Sequence, residues 1–186
     1  MDDVVVVQGS GPVGLFATAM LSKMPRAQLI VVGGPDDRLR VASDFGADAT
    51  VSIAEYPDAE SRRQAILELT GGSSPNRMFE MSGAPTAFSE GLELLARGGQ
   101  YIIMGQVSGN QVMSRPGRIT MKNLEIRGAF SGSVRHYKTA LEFLRMHQEE
   151  IPFDRIISGR YQLDDVDVVM RRMRDQEEIK PVMIVD

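Results

Sequence analysis

Three glycines near the start of the chain have the spacing of a turn that binds phosphate groups. Gly9, Gly11 and Gly14 form the pattern G-x-G-x-x-G. In such a turn the first glycine permits a sharp bend, the second lets the backbone approach a pyrophosphate, and the third lets a helix pack closely against a strand. The N–H groups of the first helical turn and the positive end of the helix dipole then point toward the phosphates. The spacing therefore favours binding of a nucleotide pyrophosphate.

The residues around these glycines predict the strand and the helix that the motif requires. Residues 4–7 are four consecutive valines, which are typical of a strand buried on both faces of a parallel sheet. Pro12 suits the first turn of the following helix, because its missing N–H has no helical partner there. Apolar residues at helical spacing predict the stripe that packs inward: Val13, Phe16, Ala17, Met20, Leu21 and Met24. A glycine-rich turn that binds no ligand remains the alternative.

Strand and helix patterns alternate along the rest of the chain. Further strands are predicted at residues 28–32, 50–53, 77–81, 100–104 and 124–127, with a weaker strand signal at Gln111, Val112 and Met113. This alternation predicts an α/β fold with a Rossmann-type, doubly wound parallel sheet of about six strands, which binds ligands at the carboxyl ends of its strands. We expect residues 1–150 to form this dinucleotide-binding domain. Residues 151–186 are predicted to form a C-terminal extension with a strand at 156–161, a helix at 164–174 and a strand at 181–185.

Length, charge and composition exclude several classes of function. With 186 residues the chain is long enough for one domain. Its net charge of −4 and its scattered basic residues argue against a nucleic-acid partner. No apolar run approaches the roughly 20 residues that span a membrane, and no signal peptide is evident, so we expect a cytoplasmic protein with no membrane partner. The absence of cysteine excludes disulfides, thiolate catalysis and cysteine-ligated zinc within this chain.

The end of the second predicted strand bears on which dinucleotide is bound. An aspartate or glutamate usually stands there, about 20 residues beyond the glycines, and accepts a hydrogen bond from the ribose 2′-hydroxyl of NAD. Gly33 stands there instead, which leaves room for the 2′-phosphate of NADP with Arg38 as its counter-charge. Asp36 and Asp37 would repel that phosphate, and one of them could reach the hydroxyl. Both cofactors remain open, with NAD slightly favoured, and Arg38 has a solvated position on a helix as its alternative.

Several segments of the chain resemble the medium-chain dehydrogenases. They are residues 9–14, 38–48, 98–100, 122–128 and 179–181, and they occur in the family's order with similar spacings. The Gly-Pro-Val-Gly form of residues 11–14 resembles the zinc-dependent alcohol, polyol and threonine dehydrogenases more than the zinc-independent quinone reductases. The resemblance runs from about residue 4 to the C-terminus.

This resemblance implies a bound nicotinamide dinucleotide, either NAD or NADP. The cofactor-binding residues that it implies are Gly9, Gly11, Pro12, Val13, Gly14, Gly33, Arg38, Ser82, Gly83, Met104, Gly105, Gln106, Ala129, Phe130 and Lys180. Residues 9–14 would hold the pyrophosphate, and Gly33 and Arg38 would border the adenine ribose. Residues 104–106 and 129–130 would flank the nicotinamide, and Lys180 would lie near the pyrophosphate. For Met104 and Phe130, packing at the end of a strand is the alternative.

Family members also carry a catalytic domain before the first strand of this fold, with Cys, His and Glu ligands of a reactive zinc. This chain has no cysteine and two histidines, His136 and His147, which we interpret as surface residues. We therefore expect a nicotinamide dinucleotide-binding domain of a zinc-type alcohol dehydrogenase-like oxidoreductase. Zinc is expected only in the catalytic domain, so this chain would have no metal site, no catalytic residue and no turnover alone. A stand-alone NAD(P)-binding or sensing module is the alternative.

The resemblance also implies a homodimer. Family members often pair the strand equivalent to residues 111–113 across a two-fold axis, which extends the sheet. Such pairing would also cover an otherwise open sheet edge.

Overall fold

A six-stranded parallel sheet forms the centre of the computed structural model, which describes residues 3–106, 109 and 111–185. Its strands are β1 (Val4–Gln8), β2 (Gln28–Gly33), β3 (Ala49–Ser52), β4 (Arg77–Glu80), β5 (Gln100–Ile103) and β6 (Glu125–Gly128). They lie in the order β3-β2-β1-β4-β5-β6, and each neighbouring pair is parallel. The predicted Rossmann-type sheet is therefore confirmed. Since the order of strands reverses between β1 and β4, their carboxyl ends mark the crevice where ligands bind in such folds.

Seven helices and a second, two-stranded sheet accompany the main sheet in the described residues. The helices are α1 (Pro12–Ser22), α2 (Asp36–Asp44), α3 (Ala59–Leu69), α4 (Ala87–Leu94), α5 (Gly117–Lys122), α6 (Val134–His147) and α7 (Val166–Arg174). The second sheet pairs β7 (Arg160–Gln162) with β8 (Val182–Ile184) in parallel. Short 3₁₀ helices occupy Phe153–Ile156 and Leu163–Asp165. No helix in the described part of the chain is both long and apolar enough to cross a bilayer.

The hydrophobic core consists of two clusters, one on each face of the sheet. Alternate valines of β1 point to opposite faces, so that Val5 and Val7 join one cluster and Val4 and Val6 the other. Helices α1 and α2 cover the first face together with Ile151 of the C-terminal extension, whereas α3 and α4 cover the second. Burial on both faces explains why this strand is a run of apolar residues without alternation.

Most of the residues of α1 that were predicted to pack inward are exposed, so that this prediction is wrong for them. Leu21 is buried and Ala17 packs against the core, but Val13, Phe16, Met20 and Met24 are between 38% and 50% exposed. The buried face instead carries Gly14, Leu15, Thr18, Ala19 and Leu21. This rotation follows from the close approach of the helix to the glycine turn, because Gly14 must lie against the backbone of Gly9. Small residues therefore face the sheet, and larger ones are turned outward.

Two other segments differ from the sequence predictions. Residues 111–113 form no strand and no backbone hydrogen bond with the sheet in the described structure, and Met113 is 94% exposed. A short strand needs a partner for its backbone groups, and the described residues of this chain provide none. The homodimer through this segment stays a prediction. In the extension, the predicted strand at 156–161 is reduced to β7, because residues 153–156 form a 3₁₀ turn that packs Phe153 and Ile156 against the first core cluster.

Candidate nucleotide-binding site

A cleft of about 440 Å³ lies at the carboxyl ends of β1, β2 and β4. Its walls come from four parts of the chain: the glycine turn, the end of β2, the loop after β4 with the start of α4, and the segment around β3 and α3. Gln176 from the C-terminal extension also lines it. The cleft therefore occupies the crevice that the strand order predicts for a nucleotide.

Two glycines of the turn are required by contacts inside the protein. Gly9 has a φ of +120°, and a Cβ on it would lie 2.9 Å from the backbone nitrogen of Ser82. A Cβ on Gly14 would lie 1.9 Å from the carbonyl oxygen of Gly9. Gly14 thus lets α1 pack against the end of β1, as the sequence motif predicts. Gly9 also lets the turn approach the loop after β4, which was not predicted.

Gly11 is different, because no atom of the described protein lies within 4 Å of the position that its Cβ would take. It caps the N-terminus of α1 with φ −75° and ψ 178°, a conformation open to any residue. The first N–H groups of this helix have no acceptor within the helix. The missing side chain of Gly11 thus leaves open space directly beside unpaired donors, which is what a phosphate group requires.

Ser10 fills the space beside Gly33, and sequence reasoning did not single it out. Its buried hydroxyl donates to the carbonyl oxygen of Gly34 and accepts from the N–H of the same residue, both at 3.0 Å. A Cβ on Gly33 would lie 2.4 Å from Ser10 Oγ. The side chain of Ser10 therefore explains why residue 33 is a glycine, because it occupies the space that a Cβ would need. The clue in the sequence was a hydroxyl residue between two motif glycines.

Arg38 lines the cleft, and it is not the solvated residue of the alternative interpretation. Its Nη2 donates to the carbonyl oxygen of Glu178 at 2.7 Å and, more weakly, to that of Gln176 at 3.4 Å. No ion pair with a described carboxylate balances its charge, and burial lowers its pKa. The nearby aspartates are engaged elsewhere: Asp36 accepts from Ser52 Oγ at 2.7 Å, and Asp37 pairs with Arg40.

Glu80, the fully buried last residue of β4, shapes the loop that borders the cleft. One of its carboxylate oxygens, Oε1, accepts from the N–H groups of Ser82 and Gly83 at 2.8 and 2.7 Å, and from Ser82 Oγ at 2.7 Å. A Cβ on Gly105 would lie 2.4 Å from the nitrogen of Gly83. The structure thus brings residues 82–83 and 105 together. Gln106 joins them by donating from Nε2 to the carbonyl oxygen of Ala84 at 2.8 Å.

The other predicted cofactor residues lie on the elements expected of them, but outside the lining of this cleft. Pro12 and Val13 form the first turn of α1. The backbone nitrogens of Met104 and Ala129 donate to the carbonyls of Glu80 and Ile103, each at 2.9 Å. Phe130 is 86% exposed, and Lys180 is exposed with its backbone N–H directed to Ser158 Oγ at 3.2 Å. Their roles stay predictions.

A buried network of hydrogen bonds, which was not predicted, lies behind the residues that line the cleft. Tyr101 Oη donates to Gln8 Oε1 at 2.6 Å, and Gln8 Nε2 donates to the carbonyl oxygen of Ala87 at 3.0 Å. Burial raises the pKa of the Tyr101 phenol, so the hydroxyl remains a neutral donor. This network connects the end of β1 to β5 and to the start of α4, where the cleft begins.

A second feature that the sequence did not predict is an ion pair between α3 and α4, two helices that contribute to the lining of the cleft. Arg62 on α3 contacts Glu90 on α4 through two hydrogen bonds, Nε to Oε2 at 3.0 Å and Nη2 to Oε1 at 2.7 Å. Its remaining nitrogen Nη1 donates to the carbonyl oxygen of Tyr56 at 2.7 Å. The two side chains are only 12% and 17% exposed. They lie 28 residues apart, and no local pattern pairs them.

Comparison with known proteins identifies the family. Residues 12–146 match the family model described as zinc-binding dehydrogenase. The chain belongs to the zinc-binding dehydrogenase family. It is 32% identical over 185 residues to 5-exo-hydroxycamphor dehydrogenase of Pseudomonas putida, an alignment that covers 98% of this chain and 51% of that protein.

Solved structures of alcohol dehydrogenases have the same fold. The crystal structure of an alcohol dehydrogenase from Thermotoga maritima superimposes with a TM-score of 0.88 at 28% identity, covering 99% of this chain and 50% of that one. A dehydrogenase from Escherichia coli CFT073, solved in complex with NADH, has the same fold with a TM-score of 0.78 at 19% identity, covering 98% and 51%. This member of the zinc-binding dehydrogenase family thus spans about half the length of the relatives that it matches, and it corresponds to their C-terminal part.

Proposed function

We propose that this chain binds a nicotinamide dinucleotide in the cleft and serves as the cofactor-binding half of a zinc-type, alcohol dehydrogenase-like oxidoreductase. The observation that carries the proposal is Gly11. Contacts inside the protein account for Gly9 and Gly14, but no described atom lies near the missing side chain of Gly11. A pyrophosphate at the N-terminus of α1 requires that open approach. The Escherichia coli dehydrogenase solved with NADH supports the same class of ligand.

In this proposal the chain positions the cofactor and does not itself act on the substrate. When bound, the dinucleotide supplies hydride transfer at its nicotinamide ring, between an alcohol and a carbonyl compound in the whole enzyme. The N–H groups at the start of α1 bind its phosphates. The loop that Glu80 holds, with Ser82 and Gly83, borders the cofactor, and residues 104–106 and 129–130 lie toward the nicotinamide.

The part of the chain that the structure describes offers no donor set for zinc. The sequence contains no cysteine, and the described residues contain no group of three His, Cys, Asp or Glu side chains that could hold a metal. His136 Nδ1 accepts from the N–H of Ser133 at 3.1 Å, while His147 packs against the ring of Phe143. Both histidines therefore have local structural roles. We assign the zinc of the family to a catalytic domain that is not part of this chain.

Exposed apolar side chains on α6 favour this function over a stand-alone nucleotide-binding module. Val134, Tyr137 and Leu141 are 86%, 63% and 67% exposed, and their spacing puts them on one face of the helix. A self-sufficient module is expected to cover such a stripe, whereas a domain that packs against a second domain exposes it when alone.

The predicted cytoplasmic location stays a prediction.

We further propose that NAD is preferred over NADP. Ser10 fills the space beside Gly33, and Nη2 of Arg38 is already committed to two carbonyl oxygens. Asp36 adds negative charge to the first turn of α2, close to where a 2′-phosphate would bind, whereas the charge of Asp37 is paired with Arg40. Together these observations support a ribose site for a hydroxyl and not for a phosphate.

The test is a parallel titration of the chain with NADH and NADPH, followed by the fluorescence of the reduced nicotinamide. The chain has no tryptophan to interfere with this signal. Saturable binding of NADH, weaker binding of NADPH, and loss of binding in Gly11→Val would support the proposal. Binding that Gly11→Val does not change would place the ligand elsewhere, and no binding of either cofactor would refute the function.

A further inference from the structure

Glu80 holds two loops at once, the β4 loop (residues 82–84) and the β5 loop (residues 104–106). Its carboxylate oxygen Oε1 accepts from the N–H groups of Ser82 and Gly83 and from Ser82 Oγ. Its backbone carbonyl oxygen accepts from the N–H groups of Met104 and Gly105, at 2.9 and 3.0 Å. The residue is fully buried. One residue therefore fixes the loops that follow two neighbouring strands.

The second carboxylate oxygen of Glu80, Oε2, is directed toward Gly105. A Cβ on Gly105 would lie 2.7 Å from Oε2 and 2.4 Å from the backbone nitrogen of Gly83. A hydrogen of the Gly105 Cα takes the direction of that Cβ, and a C–H group beside an oxygen is weakly attracted to it. No N–H or O–H group of the described residues donates to this buried oxygen. The contact therefore requires an acceptor at Oε2 and a glycine at residue 105.

The β4 loop also contacts the glycine turn, so that three turns pack together around Glu80. A Cβ on Gly9 would lie 2.9 Å from the backbone nitrogen of Ser82, and a Cβ on Gly83 would lie 2.6 Å from the carbonyl oxygen of Gly105. In the proposed function the pyrophosphate binds at the glycine turn and the nicotinamide lies toward the β5 loop. Contacts of Glu80 therefore set the position of one end of the cofactor site relative to the other.

We propose that Glu80 is a positioning residue for the nicotinamide half of the cofactor. It does not touch the cofactor itself, and it acts by holding the β5 loop through Gly105. The inference rests on the proposed function, because it requires that a nicotinamide dinucleotide binds along these three turns.

The experiment compares the binding of NADH with that of ADP-ribose, which lacks the nicotinamide ring, by calorimetry on the whole chain. In Glu80→Gln the amide oxygen can replace Oε1 and keep its three hydrogen bonds. The NH₂ group then replaces Oε2 and turns a donor toward the Cα–H group of Gly105, where it finds no acceptor. Wild type is expected to bind NADH more tightly than ADP-ribose. Glu80→Gln is expected to weaken NADH about fivefold and to leave ADP-ribose within about twofold of wild type.

Two control variants and a second test variant accompany this comparison. Glu125→Gln is the matched control for charge, because Glu125 is exposed on β6 and pairs with Arg127 at 2.9 Å; both ligands should bind it as they bind wild type. Gly105→Ala disturbs the same contact from the other side, and it is also expected to weaken NADH more than ADP-ribose. Gly117→Ala is its control, since a Cβ there meets no described atom within 4 Å.

The ratio of the two dissociation constants separates positioning from stability. If Glu80→Gln weakens NADH and ADP-ribose by the same factor, the residue has only a structural role and the inference is wrong. Equal binding of the two ligands by wild type also refutes it, while leaving the proposed function intact. If neither ligand binds wild type, the proposed function itself fails. Should Glu80→Gln not fold, the comparison of Gly105→Ala with Gly117→Ala decides the same question, and an unchanged ratio in Gly105→Ala refutes the inference.

Discussion

The Cα of Gly14 lies so close to the carbonyl oxygen of Gly9 that a Cβ on Gly14 would be 1.9 Å from that oxygen. Both atoms belong to the backbone, so neither can move aside without shifting α1 or β1. Gly11, between them in the same motif, has no such neighbour. The three glycines of one motif thus have separable roles: two are required by the fold, and the third has the ligand-binding role that we propose for it.

This separation predicts opposite results for two alanine substitutions. Gly14→Ala is expected to lower the free energy of unfolding by about 3 kcal/mol or more, because it forces the helix away from the turn. Gly11→Ala is expected to change it by less than about 1 kcal/mol, since the new Cβ meets nothing. Urea denaturation of both variants, with NADH titration of Gly11→Ala, checks this. A stable Gly14→Ala, or a Gly11→Ala with normal NADH binding, would contradict the assignment.

The network beneath the cleft predicts a cost for removing one hydroxyl. Tyr101→Phe leaves Gln8 Oε1 buried without its donor, and it is expected to lower the free energy of unfolding by about 1–3 kcal/mol. Tyr137→Phe, at a residue that is 63% exposed, should change it by less than about 0.5 kcal/mol. Chemical denaturation of both variants measures the difference. Equal effects would show that the buried hydrogen bond contributes nothing specific.

The ring of Tyr101 packs against Gly91 on α4, where no side chain occupies the space. A Cβ on Gly91 would lie 2.3 Å from the phenol oxygen, whereas a Cβ on Gly117 in α5 would meet no atom of the described residues within 4 Å. Gly91→Ala is therefore expected to destabilise the protein by about 1–3 kcal/mol through overpacking, despite the better helix propensity of alanine. Gly117→Ala is expected to be neutral or slightly stabilising. Melting temperatures of the two variants would reveal the contrast, and a stabilised Gly91→Ala would rule out this packing.

A buried carboxylate in the C-terminal extension predicts a dependence of stability on pH. Burial alone would raise the pKa of Glu178, but hydrogen bonds from Ser158 and Tyr161 and the charge of Arg172 outweigh it and hold the pKa below the usual 4.5. A carboxyl whose pKa is lower in the folded state stabilises the fold above its unfolded pKa, and this stabilisation is lost as the pH falls through the folded value. We therefore expect wild type to lose stability below about pH 4.5, as this group becomes protonated.

Glu178→Gln should reduce that loss. Urea denaturation between neutral pH and pH 3 is the measurement, with Glu142→Gln as a control, because Glu142 forms only an exposed pair with Lys138 at 3.8 Å. The control is expected to stay within about 0.5 kcal/mol of wild type at neutral pH. An acid dependence of Glu178→Gln as steep as that of wild type would exclude this carboxylate as its source.

The local sequence pattern was sufficient to predict the strands of the main sheet and the glycine turn. Four valines in a row specify a strand buried on both faces, and each predicted strand of the main sheet is present. The same local pattern failed on α1, where Phe16 and Met20 are turned outward. Helical periodicity records which residues share a face, but the contact between Gly14 and Gly9 decides which face is buried.

The sequence by itself determined the fold class, the order of its elements, and the spacing of the glycines that place α1 behind a turn. These properties depend on residues close together in the chain, and so they can be recognised one segment at a time. Only the tertiary structure decided that Ser10 accounts for Gly33, that Arg38 is held by carbonyls of the extension 138 and 140 residues away, and that Arg62 meets Glu90. These contacts join distant segments, and no local preference records them, because they form only when the sheet and its helices have packed together.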